Sequence, residues 1–371
     1  MNAVIVGAGL TGAKAAETLR EEGFTGQIVL IGEETERPYE RPPLSKGYLL
    51  GDQERDAVHV HDAQWYDKNS VDLRLGQRVV GLDRAAHEVE LDSGERIRYD
   101  KLLLATGASP RRLPIDGDVH YVRRLEDSDR LREALGSGGS VAIAGAGWIG
   151  LEIAAAARAK GCPVTVYEPA PTPLHAVLGP EIGGFFADLH RAEGVEFRFG
   201  ESLPGKPNAD VVVAGIGARP NTELAEAAGL TVEDGIVVDA GLRTSDPDIY
   251  AAGDVAAVPS TQYGRRLRVE HWGNAIAGGQ AAAKSMLGND ISYDELPYFF
   301  SDQYDVGMEF TGWFAPGGYD RVVTRGDVAG RAFRAFWIAD GRVVAGMHVN
   351  LWDEGLGRAR ELIHGGLPLD D

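Results

Sequence analysis

The chain holds one cysteine, Cys162, in 371 residues. A lone thiol forms neither an internal disulfide nor a cysteine-based metal site, which excludes a secreted disulfide scaffold, a zinc finger and a dithiol active centre. No metal centre is expected. Positive charge is scarce as well: 37 Lys and Arg against 56 Asp and Glu leave a net charge of −19. Phosphate surfaces attract basic faces, so neither nucleic acid nor an anionic membrane is an expected partner. No apolar run approaches the roughly 20 residues that a spanning helix needs. The charged start and apolar stretch of a secretory signal are missing too, because Ala3-Val4-Ile5-Val6 already reads as a strand leading into glycines. The cytoplasm is the expected compartment. The one proline-rich run, Pro169–Pro173, reads as a loop.

What the chain does have is an ordinary globular balance, 44% hydrophobic and 25% charged. At roughly 100–200 residues per domain its length predicts two or three domains, with core enough to enclose a bulky cofactor. Its most informative feature is an internal echo. Residues 3–33 (AVIVGAGLTGAKAAETLREEGFTGQIVLIGE) and 141–168 (VAIAGAGWIGLEIAAAARAKGCPVTVYE) share one pattern. Each has an apolar β-branched strand, a glycine turn, an alanine-rich helix, a glycine near the helix end, and a second apolar strand closed by a glutamate. These are βαβ dinucleotide-binding units.

Gly7-Ala8-Gly9-Leu10-Thr11-Gly12 is G-x-G-x-x-G, and Glu33 follows Gly12 by 21 positions. The first glycine permits the tight turn, the second lets backbone approach a pyrophosphate, and the third lets helix and strand close up. The helix N-terminus then offers unpaired N–H groups to phosphate, and Glu33 accepts from ribose hydroxyls. Gly145-Ala146-Gly147-Trp148-Ile149-Gly150 repeats the motif, with Glu168 following Gly150 by 18 positions. An acidic residue there binds a ribose 2′-hydroxyl and repels a 2′-phosphate. No Arg or Lys follows it in Pro169–Pro173, which favours NADH over NADPH. Two nucleotide sites in one chain are most simply used by a resident flavin and a hydride source.

Between the two units, residues 79–104 alternate around Ser93-Gly94 as a hairpin, and Leu102–Leu104 reads as a buried strand ending at Ala105-Thr106-Gly107. After the second unit come buried strands at Asp210–Ala214 and Ile249–Ala252, the latter running into Gly253-Asp254. Residues 270–287 read as a small-residue helix suited to close packing. From about Tyr298 the pattern turns to aromatic strands with a turn at Asp340-Gly341 and a short helix near Gly357–Ile363, an α+β tail.

At this level of detail the chain resembles the FAD-dependent pyridine-nucleotide oxidoreductases of glutathione-reductase fold. Within them it is similar to the oxygenase-coupled, putidaredoxin reductase-like ferredoxin reductases and to apoptosis-inducing-factor-like proteins. The marks are the two glycine motifs, Arg41-Pro42-Pro43-Leu44-Ser45-Lys46, Ala105-Thr106-Gly107, Gly215-Ile216-Gly217 with Pro220-Asn221, Ala252-Gly253-Asp254, Glu270-His271-Trp272 and Ser301-Asp302-Gln303. The implied fold is α/β: two Rossmann-type dinucleotide-binding domains and a C-terminal α+β interface domain. The expected division is FAD binding by 1–111 and 237–295, NADH binding by 112–236, and an interface domain over 296–371.

The resemblance also implies roles. Lys46 lies beside the flavin and pairs with Glu152; a cation there favours negative charge on the ring, and the carboxylate fixes its position. Arg41 and Arg123 neutralise the FAD pyrophosphate. Asp254 takes the ribitol, while Val79, Thr106 and Gly107 join the flavin-binding set. Glu270, His271 and Trp272 begin a helix under the pyrimidine end of the ring, although His271 read by itself could equally be a cap or a satisfied core residue. Ile149 and Gly217 frame the nicotinamide.

Hydride transfer needs stacking and exclusion of water more than an acid or base, so no catalytic triad is expected. Dithiol reductases of this fold carry C-x4-C after the first unit, and related peroxidases and oxidases keep one cysteine there. Residues 38–50 contain none, which excludes thiol chemistry, and Cys162 reads as a buried structural thiol. A flavin accepts electrons in pairs and releases them singly, which suits a [2Fe–2S] ferredoxin. Docking an acidic ferredoxin on an acidic chain calls for a basic patch, for which Arg265-Arg266-Arg268 and Arg331/Arg334 are the candidates.

Two other readings stand beside this one: NADH:quinone or dye reduction, and an apoptosis-inducing-factor-like redox sensor. Monomer and homodimer are both compatible with the sequence. The run Pro297-Tyr298-Phe299-Phe300-Ser301-Asp302-Gln303 departs from the family's Pro-Trp-Phe-Trp-Ser-Asp-Gln, with Phe300 still able to stack on the flavin. The link Gly200–Asp210 is shorter than the family's strand meander and is expected to leave the second glycine turn intact.

Overall fold

The computed structural model describes every residue except Asp116 and Asp371. Its contacts divide into two units, each assembled from separate stretches of chain. The first comprises 1–40, 55–109 and 219–295; the second comprises 41–54, 110–218 and 296–371.

In the first unit a five-stranded parallel sheet has the order Ile249–Ala251, Lys101–Leu104, Asn2–Val6, Gln27–Ile31, Val71–Arg74. The first four of these strands are buried on both faces, which is why they read as largely apolar runs, whereas the edge strand Val71–Arg74 is mostly half-buried and alternates. Strand order reverses on either side of Asn2–Val6, the switch point at which doubly wound folds open a crevice at the strands' carboxyl ends. The glycine turn 7–12 leaves the central strand at that end. Helix Leu10–Glu21 packs on helix Trp272–Met286, and Gly279 permits the contact: a Cβ there would lie 2.4 Å from the Thr11 carbonyl oxygen. The alternating segment forms the antiparallel strands Val79–Asp83, Glu88–Leu91 and Arg96–Arg98, with the turn at Ser93-Gly94.

The second unit carries a four-stranded parallel sheet in the order Val195–Phe199, Val164–Glu168, Val141–Ala144, Val211–Ala214. Helices Leu125–Gly136, Trp148–Ala159 and His175–Ala192 belong to the same unit. The tail is an antiparallel sheet in the order Tyr298–Gln303, Val306–Gly312, Arg342–Val349, Ala332–Ala339, Arg321–Asp327, followed by helix Gly357–Gly365. The tail shares one apolar core with the parallel sheet, where Ile143, Val166, Phe186, Trp337 and Met347 belong to a single cluster. The buried Trp337 indole donates to the Leu178 carbonyl at 3.0 Å, tying tail to helix. Cys162 is buried between helix and strand, its thiol pushed up by desolvation, in keeping with a structural role.

Candidate functional site

In both glycine turns the first and third glycines are closed in by backbone, while the second faces open space. In the first unit, a Cβ on Gly7, at φ +116°, would sit 2.0 Å from the Ala105 carbonyl oxygen, and one on Gly12 would sit 2.1 Å from the Gly7 oxygen. A Cβ on Gly9 would meet nothing within 4 Å. In the second unit, Gly145, at φ +92°, lies against Gly215, Gly150 lies against Gly145, and a Cβ on Gly147 would come no nearer than 3.9 Å to another group. Gly9 and Gly147 are the N-caps of helices Leu10–Glu21 and Trp148–Ala159, and no side chain caps either helix. Each turn therefore presents first-turn N–H groups and a positive dipole end across a floor without side chains, the cradle a pyrophosphate fits. The residues present fit two dinucleotides.

Around the first cradle, Glu33 stands two residues past strand Gln27–Ile31 with its side chain 51% exposed and Arg78 at 4.0 Å. Nearby, the buried Gln77 Oε1 has no hydrogen-bond partner in the structure, an acceptor left to a ligand donor. Val79 begins its strand half-buried. Thr106 and Gly107 are laced to Asn221: the Thr106 hydroxyl donates to the Asn221 carbonyl at 2.7 Å, the Asn221 amide to the Thr106 carbonyl at 2.8 Å, and the Asn221 backbone N–H to the Gly107 carbonyl at 2.9 Å. Asn221 appeared in the sequence only as a family mark; its partner lies 115 positions away, beyond the reach of local pattern.

Asp254 sits in the one-turn helix Gly253–Val255, held against helix Leu10–Glu21 because Gly253 has no side chain; a Cβ there would lie 2.4 Å from Thr11 Oγ1. His271 caps helix Trp272–Met286, accepting from the Gly273 N–H at 3.4 Å, so of its two local readings the cap is the one adopted. Trp272 opens that helix, and Glu270 pairs with Arg268.

In the second unit Glu168 is the last residue of its strand. Its carboxylate accepts the Ala146 N–H from the glycine turn and the Ala170 N–H, both at 2.8 Å, which fixes an acceptor at the rim of the cradle. Gly217, at φ +90°, turns the chain after strand Val211–Ala214. Ile149, in the first helical turn, is 39% exposed, an apolar side chain left at the mouth of the cradle. Arg41 donates to the Arg123 carbonyl, bringing those two residues together, and the Arg123 N–H donates to Asp127 at 3.2 Å.

The most concentrated chemistry lies one helical turn beyond Ile149. The 3-10 turn Pro42–Ser45, stiffened by its prolines, delivers Lys46 to Glu152, with Nζ 2.7 Å from Oε1. The Lys46 side chain is 18% exposed and that of Glu152 only 3%. Glu152 also accepts the Ser45 hydroxyl at 2.5 Å and the Ser301 hydroxyl at 2.7 Å. Three donors on one buried carboxylate satisfy the charge that burial would otherwise penalise. The Lys46 ammonium lies 5.4 Å from the centre of the Phe300 ring. Desolvation raises the Asp302 carboxyl above its usual range, against Lys46 and with Glu152. The Lys46–Glu152 pair was legible through the resemblance; the serine donors were not given roles there.

The proposed basic patches are not free cationic surfaces. Arg268 pairs with Asp234 and Glu270, Arg331 with Asp305, and Arg334 with Glu354, while Arg266 donates to the Val238 and Ala257 carbonyls. In a chain this acidic, each of these four arginines has a carboxylate or carbonyl partner.

Comparison with known proteins agrees with this geometry. Residues 1–279 match the family model described as pyridine nucleotide-disulphide oxidoreductase, and residues 298–371 match the reductase C-terminal model. The chain is 44% identical to the anthranilate 1,2-dioxygenase system ferredoxin–NAD(+) reductase component of Burkholderia cepacia, over 98% of this chain and 94% of that protein. It is 35% identical to the putidaredoxin reductase of Pseudomonas putida, over 100% and 93%. Its fold superposes with a TM-score of 0.94 on a chain of the crystal structure of the covalent putidaredoxin reductase–putidaredoxin complex, covering 100% of this chain and 94% of that one at 35% identity. Two glycine cradles in parallel sheets, a reductase tail and likeness along the full length lead to one conclusion: the chain belongs to the pyridine nucleotide-disulphide oxidoreductase family and is an α/β oxidoreductase with that family's reductase C-terminal domain.

Proposed function

We propose that this enzyme passes electrons from NADH through FAD to a [2Fe–2S] ferredoxin that serves an oxygenase or a cytochrome P450. Residues 1–111 and 237–295 hold FAD, 112–236 hold NADH, and 296–371 shape the face offered to the ferredoxin. The observation that carries the reading is the combination of two dinucleotide cradles with a buried, thiol-free Lys46–Glu152 pair. The full-length relatives named as reductases of ferredoxins add support. Cytoplasmic NADH as the reductant argues for a cytoplasmic enzyme, and monomer and homodimer both accommodate this reading.

The flavin supplies the exchange between a two-electron hydride donor and one-electron acceptors. The chain's own residues bind and orient. Gly9 and Gly147 admit the two pyrophosphates, Arg41 and Arg123 offset FAD phosphate charge, and Glu33, Val79, Thr106, Gly107 and Asp254 hold the rest of FAD. The helix that His271 caps and Trp272 opens, preceded by Glu270, would offer its positive end to the pyrimidine side of FAD, and Phe300 would supply a stacking surface. Ile149 and Gly217 would place the nicotinamide, and Lys46, held by Glu152, would supply a fixed positive charge to the flavin.

The test is stopped-flow. NADH should bleach the flavin, and mixing with an oxidised [2Fe–2S] ferredoxin should restore its colour within the turnover time. A long-lived reduced complex that no ferredoxin discharges would favour the redox-sensor reading, and discharge by quinone alone would favour the quinone reading.

Coenzyme choice gives a second expected result. Glu168→Ala removes the acceptor for the 2′-hydroxyl and the repulsion toward a 2′-phosphate, so the ratio of kcat/KM for NADH to that for NADPH should fall about tenfold or more, roughly the discrimination one charged hydrogen bond supplies. An unchanged ratio would remove Glu168 from the site.

A further inference from the structure

The hydrogen bonds at Glu152 continue inward. Gln303 Nε2 donates to Ser301 Oγ at 3.0 Å, His190 Nε2 lies 2.8 Å from Gln303 Oε1, and the Tyr304 hydroxyl lies 3.1 Å from His190 Nδ1. Ser301 and Gln303 are 1% exposed and His190 0%, so within the chain they exchange partners with each other rather than with water.

The direction of every bond follows from its end. An ionised Glu152 only accepts, so the Ser301 hydroxyl donates to it. The Gln303 amide then donates to the free lone pair of Ser301 and turns its carbonyl toward His190. His190 must carry its proton on Nε2, leaving Nδ1 to accept from Tyr304. Burial holds the imidazole down to about 4, so it stays neutral and keeps that role through the working pH range. Facing Glu152, the remaining ionisable groups are Lys46 from the 3-10 turn and Asp302 from the edge strand.

The chain of bonds joins helix His175–Ala192, strand Tyr298–Gln303 and the hairpin tip, where Tyr304 adopts φ +56°, a left-handed conformation unfavourable for a residue with a side chain. An apolar layer would fill the same volume without buried polar groups. A fully satisfied network instead fixes one geometry.

We propose that His190, Gln303 and Tyr304 are positioning residues for the reductase site: they orient the Ser301 hydroxyl, which holds the Glu152 carboxylate and, through it, the Lys46 ammonium. The inference rests on the reading of Lys46 as the charge beside the flavin. Its test uses the flavin-loaded enzyme and the variants Gln303→Leu and His190→Leu, with His190→Gln as the conservative replacement and Tyr304→Phe as the mildest, deleting one hydroxyl.

Gln303→Leu should slow the limiting rate of flavin reduction by NADH about tenfold with KM for NADH changed less than about twofold, since a small displacement of a charge affects the reacting geometry rather than coenzyme binding. The flavin reduction potential, measured by dye equilibration, should move negative, in the direction expected for Lys46→Met. His190→Gln should recover most of both, and Tyr304→Phe should move both in the same direction by less. Separately, nitrogen-15 NMR of the unliganded protein should find His190 protonated at Nε2. The proposal is overturned if Gln303→Leu and Tyr304→Phe both leave rate and potential unchanged, or if the proton sits on Nδ1. A wild-type protein that takes up no flavin would count against the reductase reading, and the tautomer measurement would still decide the direction of the chain.

Discussion

Replacing Lys46 by methionine is expected to slow reduction of the bound flavin by NADH about a hundredfold or more, the loss of about 2.7 kcal/mol that typically follows removal of one preorganised donor or charge from a reacting centre. The ammonium is a good candidate for an effect of this size because it is immobilised at both ends of the argument. Two prolines restrict the segment that carries it, and a 2.7 Å contact with a carboxylate that is 3% exposed fixes its head. A charge so held needs no reorganisation when the ring gains electrons. Methionine keeps the length and apolar stem of lysine and removes the charge, so the volume stays filled while the ammonium's contact with the Phe300 ring is lost. The usual penalty of about 3–5 kcal/mol for breaking a buried pair is softened here, because Glu152 keeps the Ser45 and Ser301 hydroxyls as donors. The variant should therefore fold, and its melting temperature should be recorded beside its stopped-flow rate. A rate equal to wild type in a folded, flavin-loaded variant would take Lys46 out of the reaction.

The fold was largely legible because its governing signals are local. Gly7, Gly12, Gly145 and Gly150 announce βαβ units since each is required by a contact within its own turn or with the adjacent strand end, and the hairpins at Ser93-Gly94 and Asp340-Gly341 form where turn chemistry interrupts alternation. The Lys46–Glu152 pair, 106 positions apart, was legible only through the resemblance, since no periodicity links those residues. Beyond it the sequence falls silent. Ser45, Asn221 and the series Ser301, Gln303, His190, Tyr304 are ordinary polar residues locally; their importance comes from partners 107 to 149 positions away that tertiary structure alone supplies. The pairing of the arginine runs was hidden for the complementary reason: a run of like charges in sequence says nothing about the carboxylates that folding brings to it, as Asp234 and Glu270 come to Arg268.

The division of labour within each glycine turn gives the second large effect, as a contrast between neighbouring positions. Gly12→Ala should destabilise the first unit by about 1–3 kcal/mol, the usual cost of forcing a methyl group into a packed site, because its Cβ would lie 2.1 Å from the Gly7 carbonyl oxygen and 3.0 Å from a Leu30 methyl. Gly9→Ala should cost less than about 1 kcal/mol, since the added methyl meets no protein atom within 4 Å and the backbone at φ −88° suits alanine. Yet that empty space is the floor on which the pyrophosphate would rest, so Gly9→Ala should weaken FAD uptake by the apoprotein at least about tenfold, a loss of about 1.4 kcal/mol. The same logic sends Gly147→Ala to a raised KM for NADH with a nearly unaltered melting temperature, because its methyl would come no nearer than 3.9 Å to a protein atom. Thermal denaturation and flavin titration of the two first-unit variants decide the matter together. If Gly9→Ala bound FAD as wild type does, the nucleotide would not lie across this turn, whereas equal destabilisation by both alanines would mean that the turn is merely a packing device.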